Sequence, residues 1–187
     1  LYQAFASQAQ QAEFRAEQQK GIEPLVRMNL VVENPNLDGL EVGDVPGRRE
    51  TGVIVSRIKR CAAEEVEVAT EQTVLRKGDK ILAVGVRRQL EAFRVIVGRE
   101  SGEDLMRVPG RVAFRRVVVT RKEVLGKSIA ELGLDSLYGV TVTRVLRADV
   151  EMTAIADLRL QFGDFLHVVG DEDNIAKAAD LLGNSLQ

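Results

Sequence analysis

Four arginines and two Gly-Asp pairs are the residues of this 187-residue chain whose types and spacing could carry chemistry. Arg57 and Arg60 form one pair, Arg144 and Arg147 the other. A guanidinium can hold a carboxylate or a phosphate through two parallel hydrogen bonds, which makes these the candidate ligand-binding residues. Residues three apart on a regular strand point to opposite faces, so neither pair forms a clamp by itself. One member of each can meet an anionic ligand, or a carboxylate across an interface; the competing reading is a solvated or internally paired arginine. Gly78-Asp79 and Gly163-Asp164 read as turns into a strand. The glycine takes a positive φ, and the aspartate accepts from nearby backbone N–H groups. A catalytic carboxylate would need a base, a nucleophile or a metal beside it, and the spacing supplies none.

The remaining reactive residues exclude more than they suggest. His167 is the single histidine and Cys61 the single cysteine. A Ser-His-Asp or Cys-His arrangement has no sequence support, nor does a metal site built on His and Cys. No disulfide can form within the chain, which fits a reducing compartment. The Gly-x-Gly-x-x-Gly and Walker A patterns are absent, so no nucleotide cofactor is expected. A formal net charge of −2 argues against a nucleic-acid partner. No segment has the roughly 20 apolar residues needed to span a bilayer. The chain starts at Leu1, which reads as a piece of something longer. No enzymatic activity is expected.

These residues recur because the chain repeats itself. Gly52-Val-Ile-Val-Ser-Arg-Ile-Lys-Arg60 resembles Gly139-Val-Thr-Val-Thr-Arg-Val-Leu-Arg147 at an offset of 87 residues. Leu75-Arg-Lys-Gly-Asp-Lys-Ile-Leu-Ala-Val-Gly85 resembles Leu160-Gln-Phe-Gly-Asp-Phe-Leu-His-Val-Val-Gly170 at an offset of 85. A two-residue insertion between Cys61 and Thr73 reconciles the two offsets. His167 then stands where the first copy has Leu82, which points to packing at that position.

Each copy predicts the same elements. A first strand covers Met28–Val32 or Arg116–Thr120, and a short helical or turn segment covers Asp38–Val45 or Lys127–Leu132. A second strand runs Gly52–Lys59 or Gly139–Leu146. In the second copy Val140, Val142 and Arg144 alternate with Thr141, Thr143 and Val145, the period of a strand. A third, short strand lies near Val66–Ala69 or Glu151–Ala154. Ile81–Val84 and Phe165–Val169 are apolar on both faces, as in a central strand covered on each side. A closing helix presents Leu90, Phe93 and Val97, or Ile175, Ala178 and Leu182, with Asp171 as an N-cap. Gly98 and Gly183 stand where a left-handed C-cap is expected. The fold class is α+β: two tandem β-α-β-β-β-α modules preceded by a polar helix. The expected divisions are an entry helix and linker over 1–21, a first module over 22–98, a linker over 99–115 and a second module over 116–187.

The two patterns Gly139–Arg147 and Leu160–Gly170, with their partners Gly52–Arg60 and Leu75–Gly85, resemble the C-terminal domain of RCK-type regulators of potassium transport, the TrkA C-terminal domain. The resemblance covers Met28 to Ser185. The Rossmann-like half of such regulators is absent, so the nucleotide binding that belongs to it is not implied. Tandem modules, the segment Val118–Lys127 and the ending Leu182–Ser185 also resemble the soluble insert of the aspartate–alanine exchanger family of bacterial permeases. That resemblance implies a regulatory, ligand-sensing or assembly domain on the cytoplasmic face of the inner membrane. Its implied partners are the membrane-embedded halves of the same permease, a second copy in a homodimer, and a small-molecule or ion effector. The alternative it leaves is a regulatory module of a potassium or other cation transporter or channel.

Overall fold

A computed structural model of the chain describes residues 23–186. The polar helix expected near the N-terminus lies outside them. The first module contains β1 (Leu25–Val32), α1 (Arg48–Thr51), β2 (Ile54–Lys59), β3 (Glu67–Val68), β4 (Lys80–Val86), α2 (Arg87–Val97) and β5 (Gly98–Glu100). The second contains β6 (Ala113–Val119), α3 (Ile129–Leu132), α4 (Leu134–Tyr138), β7 (Thr141–Arg147), β8 (Val150–Thr153), β9 (Phe165–Gly170), α5 (Glu172–Leu182) and β10 (Gly183–Leu186). Both sheets are antiparallel and five-stranded, ordered β3-β2-β4-β1-β5 and β8-β7-β9-β6-β10. The duplication in sequence is thus a duplication of strand order.

Each module buries one face of its sheet under its long helix. In the first, Leu30, Val55, Ile58 and Ile81 pack against Leu90, Phe93 and Val97. In the second, Val117, Val145 and Leu166 pack with Ile175, Ala178 and Leu182. Asp171 caps α5 as the sequence predicts, its side chain accepting from the Asp173 N–H. β4 and β9 are the central strands of their sheets.

Three local features depart from the sequence expectations. Gly98 and Gly183 are not left-handed caps: both have φ +156. The chain passes from the helix straight into a fifth strand, and a Cβ at Gly98 would sit 2.4 Å from the Val31 carbonyl oxygen. That strand was not anticipated, because three or four residues without apolar alternation carry no strand signal. The second departure is a bulge in β2 between Val55 and Arg57 and another in β7 between Val142 and Arg144. A bulge adds one residue and reverses the alternation beyond it. Val145 therefore joins Val140 and Val142 in the core rather than the face of Thr141. The third is two extra short helices, α1 and α4, immediately before β2 and β7.

The stretch between the modules is not bare connection. Leu105 is fully buried with Val66 and Leu82, and Val108 and Val112 pack beside them on the sheet face away from α2. The Leu105 N–H donates to Asn29 Oδ1 at 3.0 Å.

Candidate functional site

The modules meet through equivalent strands: β2 packs against β7. Thr141 donates its hydroxyl proton to the Ala69 carbonyl at 2.6 Å, with Thr141 itself buried. Ser56 and Thr143, the added residues of the two bulges, are buried as well.

Beside this contact lies a cleft of about 360 Å³. Its lining includes repeat-equivalent positions: Gly43 and Ala130, Ile54 and Thr141, and Arg48 and Asp135. The last pair replaces a cation by an anion at the same place in the repeat. Arg48 is brought in by α1 and Asp135 by α4, the two helices absent from the sequence expectations.

The cleft has a defined electrostatic character. Arg48 is 5 % exposed and ion-paired to Glu71. Burial pulls its guanidinium below the ordinary arginine range, Arg49 adds to that shift, and Asp135 opposes it. Among the described residues, Arg48 Nε is the one buried side-chain polar atom with no hydrogen-bond partner. A buried donor left unpaired costs about 1–3 kcal/mol, more when charged, which a ligand or water accepting from it would recover. Gln72 of the first module donates to Asp135 Oδ2 of the second at 3.2 Å. Cations (Arg48, Arg49) and anions (Glu41, Asp44, Glu71, Asp135) thus line one small cleft, an arrangement able to hold a small polar molecule carrying both charges or a strong dipole.

The sequence-predicted arginines divide into two kinds. Arg60 donates to Asp79 Oδ2 and to the Val74 carbonyl, both at 2.7 Å. Arg147 grips Asp164 with Nε and an Nη, each at 2.8 Å, and donates to the Arg159 carbonyl at 2.8 Å. The bonds to Asp164 raise the Arg147 pKa further. Asp79 and Asp164 are almost fully buried, at 2 % and 1 % exposed. They also accept from the Arg76 and Gln161 N–H groups at 2.9 Å, closing the turns in which Gly78 and Gly163 take φ +95 and +86. Each Arg-Asp pair ties the strand end to the turn before the central strand, inside its own module.

Arg57 and Arg144 lie elsewhere, on the sheet faces turned away from the long helices. Arg57 is buried, and desolvation lowers its pKa, as does Arg27, while Asp104 opposes them. Arg144 pairs with Glu151 at 2.6 Å. Neither lines the cleft. His167 neighbours Arg144 on the same face; desolvation depresses its pKa, with Arg144, Arg116 and Arg27 acting in the same direction and Glu151 against them. Its ring meets Phe114 edge-on at 5.1 Å. Among the described residues no group of three or more His, Cys, Asp or Glu side chains could hold a metal ion. No helix among them is long and apolar enough to cross a membrane.

Sequence reasoning missed Arg48, Glu71, Gln72 and Asp135. The signal available was the offset of 87, which sets Arg48 on Asp135, opposite charges at one repeat position.

Two antiparallel five-stranded modules, each closed by one long helix and in contact through β2 and β7, define a tandem of small α+β domains. The model of the TrkA-C domain matches residues 28–98 and again 114–183, and the chain belongs to that family. A protein of Histophilus somni named "Putative transport protein" is 38% identical over 165 residues, covering 88% of this chain and 30% of that protein. A protein of Haemophilus influenzae with the same name is 39% identical over 176 residues, covering 94% and 32%. The chain thus spans about a third of the length of these relatives. Among solved structures, the GsuK RCK domain is similar with a TM-score of 0.39 and 12% identity, over 83% of this chain and 63% of that one. The KtrA RCK C domain in complex with cyclic diadenosine monophosphate is similar with a TM-score of 0.34 and 17% identity, over 38% and 81%.

Proposed function

We propose that this chain is the regulatory portion of a larger bacterial transport protein of the aspartate–alanine exchanger kind, held on the cytoplasmic side of the membrane. In this reading the cleft between its modules receives a small polar effector. Membership in the TrkA-C family supports a regulatory role, and relatives roughly three times longer that are named for transport support the parent type. The observation that carries the reading is the cleft itself, where a buried, incompletely bonded Arg48 faces Asp135 at the equivalent repeat position. A ligand bridging the two walls contacts both modules at once. Its binding energy then depends on how they are placed, and that dependence is what couples binding to a conformational equilibrium. The membrane-embedded parts of the same protein are the partners that would feel the change, and pairing of two chains would multiply it.

The test is a thermal-shift screen of this chain with amino acids, dicarboxylates, nucleotides and monovalent and divalent ions. A ligand that binds the native state raises the unfolding temperature, by an amount that grows with the logarithm of 1 + [L]/Kd. The reading predicts at least one stabilising compound whose effect is lost in Arg48→Lys and in Asp135→Asn. Flat responses across the screen, or stabilisation indifferent to both substitutions, would count against an effector cleft and favour a purely assembling role.

A further inference from the structure

The two modules differ in a pair of turns at one end of each sheet. In the first module the turn after β1 and the turn before β4 lie side by side. The Gly39 N–H donates to the Leu75 carbonyl and the Leu75 N–H to the Leu40 carbonyl, each at 2.8 Å. Asp38 and Lys77 stand at the tips, and the Lys77 N–H donates to the Asp38 carboxylate at 3.0 Å. The second module repeats this backbone arrangement after β6 and before β9. There the Gly126 N–H donates to the Leu160 carbonyl at 2.8 Å and the Leu160 N–H to the Lys127 carbonyl at 2.9 Å. The offsets of 87 and 85 set Leu125 on Asp38 and Phe162 on Lys77. A charged pair of tips is thus replaced by an apolar pair, and both members are exposed, Phe162 at 71% and Leu125 at 36%.

The charges on these turns have changed with the tips. The first pair carries Arg76 and Lys77 against Glu33 and Asp38. The second carries Arg121, Lys122, Lys127 and Arg159 against Glu123. Arg159 is held by Glu131 and by the Gly126 carbonyl. Arg121, Lys122 and Lys127 are exposed and make no ion pair among the described residues. The glycines beside the tips are also bare. A Cβ on Gly126 or Gly163 would meet no atom within 4 Å, whereas one on Gly39 would meet Arg76 and one on Gly78 would meet Cys61. The side chains that close over the first pair of turns have no counterpart on the second.

We propose that these two turns of the second module dock on the surface of an anionic lipid bilayer. Phe162 and Leu125 enter the boundary between headgroups and acyl chains, and Arg121, Lys122 and Lys127 meet the headgroup phosphates. Apolar side chains beside unpaired basic ones are what interfacial binding needs, because it draws on buried apolar area and on attraction to negative lipid together. Two protruding turns offer far less than the roughly 800 Å² per partner of a stable protein interface, whereas a bilayer yields around a single side chain. That a bilayer is within reach rests on the reading of the chain as part of a membrane transport protein. The turns themselves are separate from the cleft and need no ligand in it. One such point binds the free chain weakly, and becomes effective where the rest of a protein holds it close to the surface.

The chain has no tryptophan, so Phe162→Trp places a single fluorescent reporter at one tip and Lys77→Trp places one at the equivalent tip of the first module. Each complete chain is titrated with vesicles of phosphatidylcholine alone, and with vesicles of equal parts phosphatidylcholine and phosphatidylglycerol. The expected result is a blue-shifted emission from Phe162→Trp with the anionic vesicles only, and an unchanged emission from Lys77→Trp. In sedimentation with the anionic vesicles, Arg121→Gln combined with Lys122→Gln should weaken partition of the otherwise unsubstituted chain about tenfold or more. Phe162→Ser combined with Leu125→Ser should abolish it. All four positions are exposed, and circular dichroism checks that each variant is folded. Three results would overturn the proposal. One is an unchanged Phe162→Trp emission at millimolar anionic lipid. Another is equal binding to both kinds of vesicle, or equal shifts of both reporters. The third is a concentration-dependent dimer, dissociated by Phe162→Ser, in which the tips cover a second copy. A flat thermal-shift screen bears on the cleft alone, so the two readings fail separately.

Discussion

Replacing Arg147 by methionine gives the sharpest test of how each module is held together. Asp164 is 1 % exposed and takes two charged N–H bonds from Arg147 and one from the Gln161 backbone. Arg147→Met keeps much of the aliphatic stem and removes both charged donors. Breaking a buried ion pair by removing one partner costs about 3–5 kcal/mol, because the remaining charge is left uncompensated. The Arg147 side chain is 26% exposed, so water screens part of that cost. The expected loss is then about 2–3 kcal/mol. The equivalent Arg60→Met is an internal control. Arg60 gives Asp79 one bond rather than two, and the carboxylate keeps the Arg76 and Cys61 N–H groups, at 2.9 and 3.3 Å. With Arg60 37% exposed, about 1–2 kcal/mol is expected. Urea denaturation followed by circular dichroism gives both values. Losses below about 0.5 kcal/mol for both, on the scale of ordinary surface changes, would refute the reasoning. So would a larger loss at Arg60 than at Arg147.

Other substitutions follow from the same geometry. Gly183→Ala should destabilise by about 2 kcal/mol or more, because its Cβ would fall 2.3 Å from the Val118 carbonyl oxygen at a φ of +156; denaturation midpoints report it. His167 should titrate below the ordinary histidine range in an NMR pH series. Because its folded pKa is depressed, the unfolded chain binds the extra proton first. Stability should therefore be unaffected by this group above the unfolded pKa, and should fall as pH drops from there toward the folded value. Thr141→Val removes the hydroxyl donor to the Ala69 carbonyl and leaves that acceptor unpaired between the modules. A loss of about 1–2 kcal/mol is expected, with the two modules unfolding less cooperatively in calorimetry.

The repeat, the succession of elements along the chain up to the long helix, and the turn role of the Gly-Asp pairs were legible because each rests on local pattern. Ile81–Val84 and Phe165–Val169 read as apolar runs of central strands, and Asp171 announces its helix. What escaped depended on tertiary contacts. The bulges leave no mark in Ser56 or Thr143, each an ordinary residue in a β-rich run; only pairing with β4 and β9 reveals them. β5 and β10 exist because β1 and β6 offer them an edge. The arginines with the plainest spacing divide between internal ties (Arg60, Arg147) and the sheet faces turned away from the long helices (Arg57, Arg144). Arg48, which lines the cleft, belongs to a four-residue helix with no apolar period of its own. Its importance comes from the opposite module, and no window of sequence contains both walls.

The most direct test of the central claim is transport by the longer protein proposed above to contain this chain, reconstituted in proteoliposomes, with Arg48→Lys and Asp135→Asn introduced separately. Regulation through the intermodule cleft predicts that each changes the transport rate by about fivefold or more, the scale of a typical coupling free energy, while leaving the affinity for the transported substrate unaltered. Rates equal to the unsubstituted protein in both variants, with the domain still folded, would contradict it.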